Sequence, residues 1–205
     1  MTINSYFPTL IYSARLQRTH SRELNSQLLL ECLQLREDDT AGVDWSKQNY
    51  PGGYTSYNSV SRMHEVSPTF AALQREIDHH VDVYVDELEF DMKGRELAMT
   101  DCWVNIMSHR VSHSWHLHPL ATISGTYYVQ TPQNSSGLKF EDPRLGSFMA
   151  APPRKADCRP ENKPWIVIPA ETGNLVLFES WLRHEVTPNL SKEVRVSISF
   201  NYNWF

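Results

Sequence analysis

Val194-Arg195-Val196-Ser197-Ile198-Ser199-Phe200-Asn201 alternates apolar and polar side chains without a break. Successive side chains of a strand point to opposite faces, so Val194, Val196, Ile198 and Phe200 share one face and Arg195, Ser197, Ser199 and Asn201 the other. In a half-exposed antiparallel sheet the polar face simply meets water. In a small β-barrel or jelly roll it lines a cavity instead. There Arg195 and Ser197 would grip a carboxylate, the guanidinium in bidentate fashion and the hydroxyl with one more hydrogen bond.

Further strands are predicted upstream, at 99–107, 122–130, 165–169 and 174–179. All are short, β-branched or aromatic, and bounded by Gly, Pro, Asn or Ser. The Pro-rich stretch 143–164 reads as a long loop within this β region, and long ordered loops are often functional. Before Gly94 the pattern is helical. Leu24, Leu28, Cys32 and Leu35 recur at steps of four and three, predicting a helix over 21–37. Ser67 and Pro68 supply a cap and a first helical residue for a second helix, whose Phe70, Leu73, Ile77, Val81, Tyr84, Val85 and Leu88 carry it to about residue 90. Residues 1–20 read as an extended lead-in, and 42–66 as a loop with little regular structure.

Two helices followed by a series of strands, with no alternating βα units, predict an α+β fold or a β-sandwich with helices packed outside. No domain boundary is evident. The chain reads as a single domain, 1–205, in which a helical and loop part (1–98) packs on a β core (99–205).

Composition narrows the function classes. Of 205 residues 40% are apolar and 21% charged, enough for a globular core and too apolar for wholesale disorder. No run of 18 apolar residues exists, which excludes a membrane-spanning helix. The first residues lack the layout of a signal peptide. Cys32, Cys102 and Cys158 are odd in number and far apart, which suits a reducing cytoplasm better than a disulfide framework. The net charge of −5 argues against nucleic acid as a partner. A small-molecule ligand is the expectation, with a homodimer as the base-rate oligomer.

Histidines carry the chemistry. His109, His113, His116 and His118 fall within ten residues, and His184 stands alone. In an extended chain His116 and His118 point the same way, with Cα atoms roughly 6.5–7 Å apart. That spacing lets two imidazoles converge on one metal, although two surface histidines in a polar loop have the same spelling. His109 and His113 read as loop residues, and His79 and His80 as solvated helix positions.

Together these features resemble the Fe(II)- and 2-oxoglutarate-dependent oxygenases, where a double-stranded β-helix presents H-x-D/E, then a distal His, then an Arg within R-x-S. Here the elements would be His116-Leu117-His118, His184, and Arg195-Val196-Ser197, eleven residues beyond His184. The text around them also resembles a bacterial family of such oxygenases. It includes Ser124-Gly125-Thr126-Tyr127-Tyr128-Val129, Leu138-Lys139-Phe140-Glu141-Asp142-Pro143-Arg144, and Leu177-Phe178-Glu179-Ser180-Trp181-Leu182-Arg183-His184, ending at Ser199-Phe200-Asn201. The resemblance covers about 101–205.

The resemblance implies a double-stranded β-helix (a cupin-like jelly roll, mainly β with flanking helices). It also implies Fe(II), 2-oxoglutarate and dioxygen as cofactor and co-substrates. Oxidative decarboxylation of 2-oxoglutarate to succinate would be coupled to oxidation of a second, small-molecule substrate, hydroxylation being the default. Implied metal ligands are His116, His118 and His184. His118 stands where the superfamily usually has a carboxylate, so Asp142, in the D-P-R turn, is an alternative ligand; it can also simply cap that turn. Arg195 and Ser197 would anchor 2-oxoglutarate, with Asn105, Thr126 and Tyr128 as further contacts. Two other readings stay open: a cupin-like three-His dioxygenase or isomerase without 2-oxoglutarate, and a non-catalytic β-sandwich that binds a ligand.

Overall fold

A computed structural model describes residues 1–16 and 21–205; the last part of the lead-in, 17–20, lies outside them. Among the described residues ten strands form two sheets. β1 (Ile11–Arg15), β2 (Gly53–Thr55), β3 (Leu97–Met107), β5 (Ile123–Gln130), β8 (Asn174–Glu179) and β10 (Arg195–Trp204) make one, ordered β1-β8-β5-β10-β3-β2. β4 (His113–His116), β6 (Leu138–Glu141), β7 (Trp165–Ile168) and β9 (His184–Val186) make the other, ordered β4-β9-β6-β7. All pairings between these strands are antiparallel.

From β3 onward the chain places strands of the two sheets opposite one another, β3-β10-β5-β8 facing β4-β9-β6-β7. This is the eight-stranded jelly roll, the double-stranded β-helix. β1 and β2 extend the larger sheet at its two edges. The predicted strands are present, and the alternation at 194–201 falls as expected: Val196, Ile198 and Phe200 are fully buried in the core on the helix side, and the polar residues turn to the space between the sheets.

The helices cover the outer face of the larger sheet. α1 (Ser21–Asp38) buries Leu28 and Cys32. Another helix, Pro68–Glu87, buries Phe70, Leu73, Ile77, Val81 and Tyr84 along one stripe. Its start follows the spelling: the Ser67 hydroxyl accepts from the backbone N–H groups of Thr69 and Phe70, satisfying two donors the helix leaves open. Tyr202 of β10 donates to Asp78 of this helix at 2.6 Å, and Tyr127 of β5 to Asn25 of α1 at 3.0 Å. His80, expected to be solvated, instead pairs with the Tyr12 hydroxyl at 2.7 Å.

The expectation of a loop over 42–66 is corrected. That stretch holds most of α2 (Thr40–Asn49), β2 and a short α3 (Met63–Val66), which makes Pro68–Glu87 α4. Asp39, directly after α1, caps α2. Asp39 accepts from the Gly42 N–H, the Tyr54 hydroxyl and the Ser59 hydroxyl. α2 is polar along most of its length, so tertiary contacts rather than a hydrophobic stripe hold it in place.

Gly125 has a physical reason to lack a side chain. A Cβ there would lie 2.5 Å from the Phe200 ring and 2.7 Å from the Val176 carbonyl oxygen. Because the backbone oxygen cannot swing aside, Gly125→Ala should destabilise the fold by roughly 1–3 kcal/mol, read as a lower urea midpoint at unchanged slope.

Cys32, Cys102 and Cys158 are free thiols. No helix among the described residues is long and apolar enough to cross a membrane.

Candidate metal centre and active site

β4 and β9 pair so that His116 lies directly opposite His184, with ring centroids 4.2 Å apart. His118 follows two residues after β4 ends. Its backbone N–H donates to the Ser180 carbonyl at 3.0 Å, which holds it against the other two. His118 and His184 ring centroids are 5.2 Å apart, and one potential ligand atom from each of the three histidines lies within 4.8 Å of the others.

Hydrogen bonding settles which nitrogen each ring offers. His184 Nδ1 lies 2.9 Å from the Leu182 carbonyl oxygen and His116 Nδ1 2.7 Å from that of Ser114. A carbonyl oxygen only accepts, so Nδ1 carries the proton and Nε2 keeps its lone pair. His118 Nδ1 lies 2.7 Å from Asn201 Oδ1, with the same consequence. The Asn201 amide is itself oriented, since its Nδ2 donates to Asp101 at 3.3 Å and its Oδ1 also accepts from Ser124. Ser124 in turn lies 2.7 Å from the Ser180 hydroxyl. Three separate stretches of sequence thus meet behind one imidazole. Outer contacts of this kind orient ligating histidines and raise their basicity.

Burial lowers the pKa of all three rings. His184 is pushed down to about 3, mainly by burial and then by His116. Burial also holds His116 and His118 below the usual histidine value. The rings are therefore neutral at pH 7, the form that binds a metal. A stability consequence follows for the metal-free protein. An unfolded chain takes up a proton on His184 near pH 6.5, whereas the folded chain does so only near 3, so stability falls as pH drops through that window. Between pH 6.5 and 5 the loss should approach about 2 kcal/mol, and His184→Gln should flatten that part of the urea-midpoint profile.

A cavity of about 40 Å3 connects this cluster to Arg195. Arg195 is 2% exposed. Its Nε donates to the Ser136 carbonyl at 2.9 Å, and one terminal nitrogen reaches Ser197 Oγ at 3.0 Å and Met107 Sδ at 3.3 Å. The guanidinium carbon stands 5.0 Å over the Tyr128 ring. No carboxylate among the described residues lies within ion-pair distance of it. Ser136 Oγ is buried without a hydrogen-bond partner among the described residues. Arg195 and Ser197 bring a cation and a hydroxyl to the lining of the cavity.

Of the other expected contacts, Thr126 and Asn105 line the same cavity, and both hydrogen-bond to Ser199, at 2.9 and 3.1 Å. Asp142 is not brought to the histidines. Its carboxylate grips Arg144 through two hydrogen bonds, at 2.9 and 2.8 Å, and accepts the Arg144 backbone N–H. That pairing holds its carboxyl below the usual carboxylate range. It fills the turn-capping role, and although β6 runs beside β9 its carboxylate is not among the ligand atoms grouped with the three histidines.

His113, expected in a loop, instead begins β4 and lines the cavity, stacked on His116 with ring centroids 4.2 Å apart. Residues three apart on a regular strand face opposite sides. Here a bulge sets three steps of β4 against two of β9, and this returns His113 to the face of His116. Burial, and then His116, His118 and Arg195, lower its pKa to about 4, although the residue as a whole is exposed. Tyr50 and Trp103, from the supposed loop and from β3, complete the walls.

An eight-stranded jelly roll with three converging imidazoles at one end and an unpaired arginine within is the architecture of a non-haem metal oxygenase. Residues 101–201 match the family described as "Putative 2OG-Fe(II) oxygenase". The match and the shared fold place the chain among the 2-oxoglutarate-dependent Fe(II) oxygenases, enzymes that use Fe(II), 2-oxoglutarate and dioxygen.

Solved structures share the fold at low identity. The epimerase SnoN, solved with Fe3+, alpha ketoglutarate and nogalamycin RO, is 15% identical with a TM-score of 0.67, covering 95% of this chain and 78% of its own. A Pseudomonas putida prolyl-4-hydroxylase is 13% identical with a TM-score of 0.58, covering 95% and 92%. HygX from Streptomyces hygroscopicus, solved with nickel, 2-oxoglutarate and hygromycin B, is 13% identical with a TM-score of 0.58, covering 95% and 83%. No curated protein matches the sequence.

Proposed function

We propose that this oxygenase holds Fe(II) through the Nε2 atoms of His116, His118 and His184, and binds 2-oxoglutarate between that centre and Arg195. Turnover then couples decarboxylation of 2-oxoglutarate to succinate with hydroxylation of a small molecule. The observation that carries the co-substrate is Arg195: a guanidinium 2% exposed, with no carboxylate partner among the described residues. Such a charge is costly unless an anion accompanies it. The donor set fits the metal, since three neutral imidazoles with anchored Nδ1 atoms suit Fe(II).

Bound together, iron and 2-oxoglutarate activate dioxygen and supply the oxidising power. The chain's own residues do the rest. Arg195 and Ser197 fix the far carboxylate of the co-substrate, and the Tyr128 ring packs against the guanidinium. Asn201 and Ser124 hold the proton on His118 Nδ1. The Phe178 and Phe140 rings pack beside His184, with Phe178 4.6 Å from it between ring centroids, and keep water from the inner side of the cluster.

A histidine at 118 also suits a cupin-like three-His enzyme that needs no 2-oxoglutarate. Succinate formation separates the two. Iron-reconstituted protein incubated aerobically with 2-oxoglutarate should release succinate, slowly even without the second substrate; three-His chemistry independent of 2-oxoglutarate yields none. For the ligand set, His118→Asp should still bind one equivalent of iron, because it restores the commoner triad. Asp142→Ala should also retain iron by metal analysis; its loss there would make Asp142 the ligand.

A further inference from the structure

Outside the metal cluster the cavity opens into a cleft of about 510 Å3. Its walls are aromatic. Trp103 is nearly buried, Tyr57 meets it edge-on with ring centroids 5.0 Å apart, and Trp45 and Tyr50 stand with them. Among the described residues no lysine or arginine lines this cleft, and its one carboxylate is Asp101.

Asp101 is the counterpart of Arg195. Its Oδ2 accepts from Thr100 and Asn201, at 3.0 and 3.3 Å. Oδ1 accepts no hydrogen bond among the described residues, and no basic side chain among them pairs with the carboxylate. Through Asn201 it stands two hydrogen bonds from the His118 ring. A group held at Asp101 therefore sits beside the metal cluster. Anions are disfavoured there, while ring faces and a free carboxylate together favour an organic cation.

We propose that the cleft binds the primary substrate and that this substrate is a ring-bearing organic ammonium, its cation held by Asp101 and its ring stacked among Trp103, Tyr57 and Trp45. This deepens the oxygenase reading and rests on it only for the chemistry that follows binding. The aromatic walls recognise the cation by its charge against their negative faces, and Asp101 adds direct neutralisation.

Anaerobic calorimetry with benzyltrimethylammonium, benzyl alcohol and benzenesulfonate tests it, on metal-free protein and on protein loaded with Fe(II) and 2-oxoglutarate. Benzyltrimethylammonium should bind at least about tenfold more tightly than the other two. Asp101→Asn, nearly isosteric, should bring it to within about threefold of benzyl alcohol, and Tyr57→Ala should weaken it several-fold. Iron content should be unchanged in Tyr57→Ala; Asp101→Asn also touches the Asn201 amide behind His118, so its cation binding is read on metal-free protein. Equal or tighter binding of the neutral or anionic probe overturns the proposal, as does undiminished cation binding in Asp101→Asn. If the cation preference holds in metal-free protein but 2-oxoglutarate fails to bind after iron loading, the oxygenase reading fails and the cation site stands.

Discussion

Arg195→Ala will raise the 2-oxoglutarate requirement by roughly 30- to several-thousand-fold, the equivalent of about 2–5 kcal/mol for losing one member of a desolvated charge pair. β10 dictates the size of the effect. Val196, Ile198 and Phe200 are anchored in the helix-side core, which leaves the guanidinium no alternative but the space between the sheets. Among the described residues only backbone, hydroxyl and thioether groups accept from it there. Iron content should not change, because Arg195 touches none of the three Nδ1 anchors. Arg195→Lys should recover only part of the affinity, since an ammonium keeps the charge without the fork. Steady-state succinate formation against 2-oxoglutarate concentration reads both variants.

His184→Ala will abolish stoichiometric iron binding. Losing a contact behind a ligand typically costs 10–100-fold in metal affinity, and losing a ligand costs more, so iron should fall below roughly a tenth of an equivalent. The ring is 3% exposed, packed on Phe178 and paired across the sheet with His116. Far-ultraviolet circular dichroism should still report the β fold. His116→Ala should behave alike. Full iron content in either variant, measured after anaerobic reconstitution, removes the three-His centre.

These residues were legible for different reasons. Arg195 and Ser197 follow from strict period-two alternation, which a strand converts directly into a choice of face. His116 and His118 follow from the same rule over two residues. His184 needed the resemblance, because nothing local says that β9 pairs with β4. His113 was missed because a bulge, invisible in composition, cancels the half-turn that separates residues three apart. Asn201 was placed on the polar face, yet its role depends on Ser124 arriving from β5 and Ser180 from the turn after β8. α2 was missed because one capping aspartate, and not a hydrophobic stripe, marks its start. Asp142 was a fair candidate by spelling and a poor one by geometry, since Arg144 already satisfies it.

The most direct test is an anaerobic calorimetric titration of 2-oxoglutarate into Fe(II)-reconstituted protein. One equivalent should bind to the wild-type protein, with binding lost when iron is omitted or His184 is alanine, and weakened by orders of magnitude when Arg195 is alanine. Iron-loaded wild-type protein that binds no 2-oxoglutarate, or binds it equally well without Arg195, would contradict the assignment of this site.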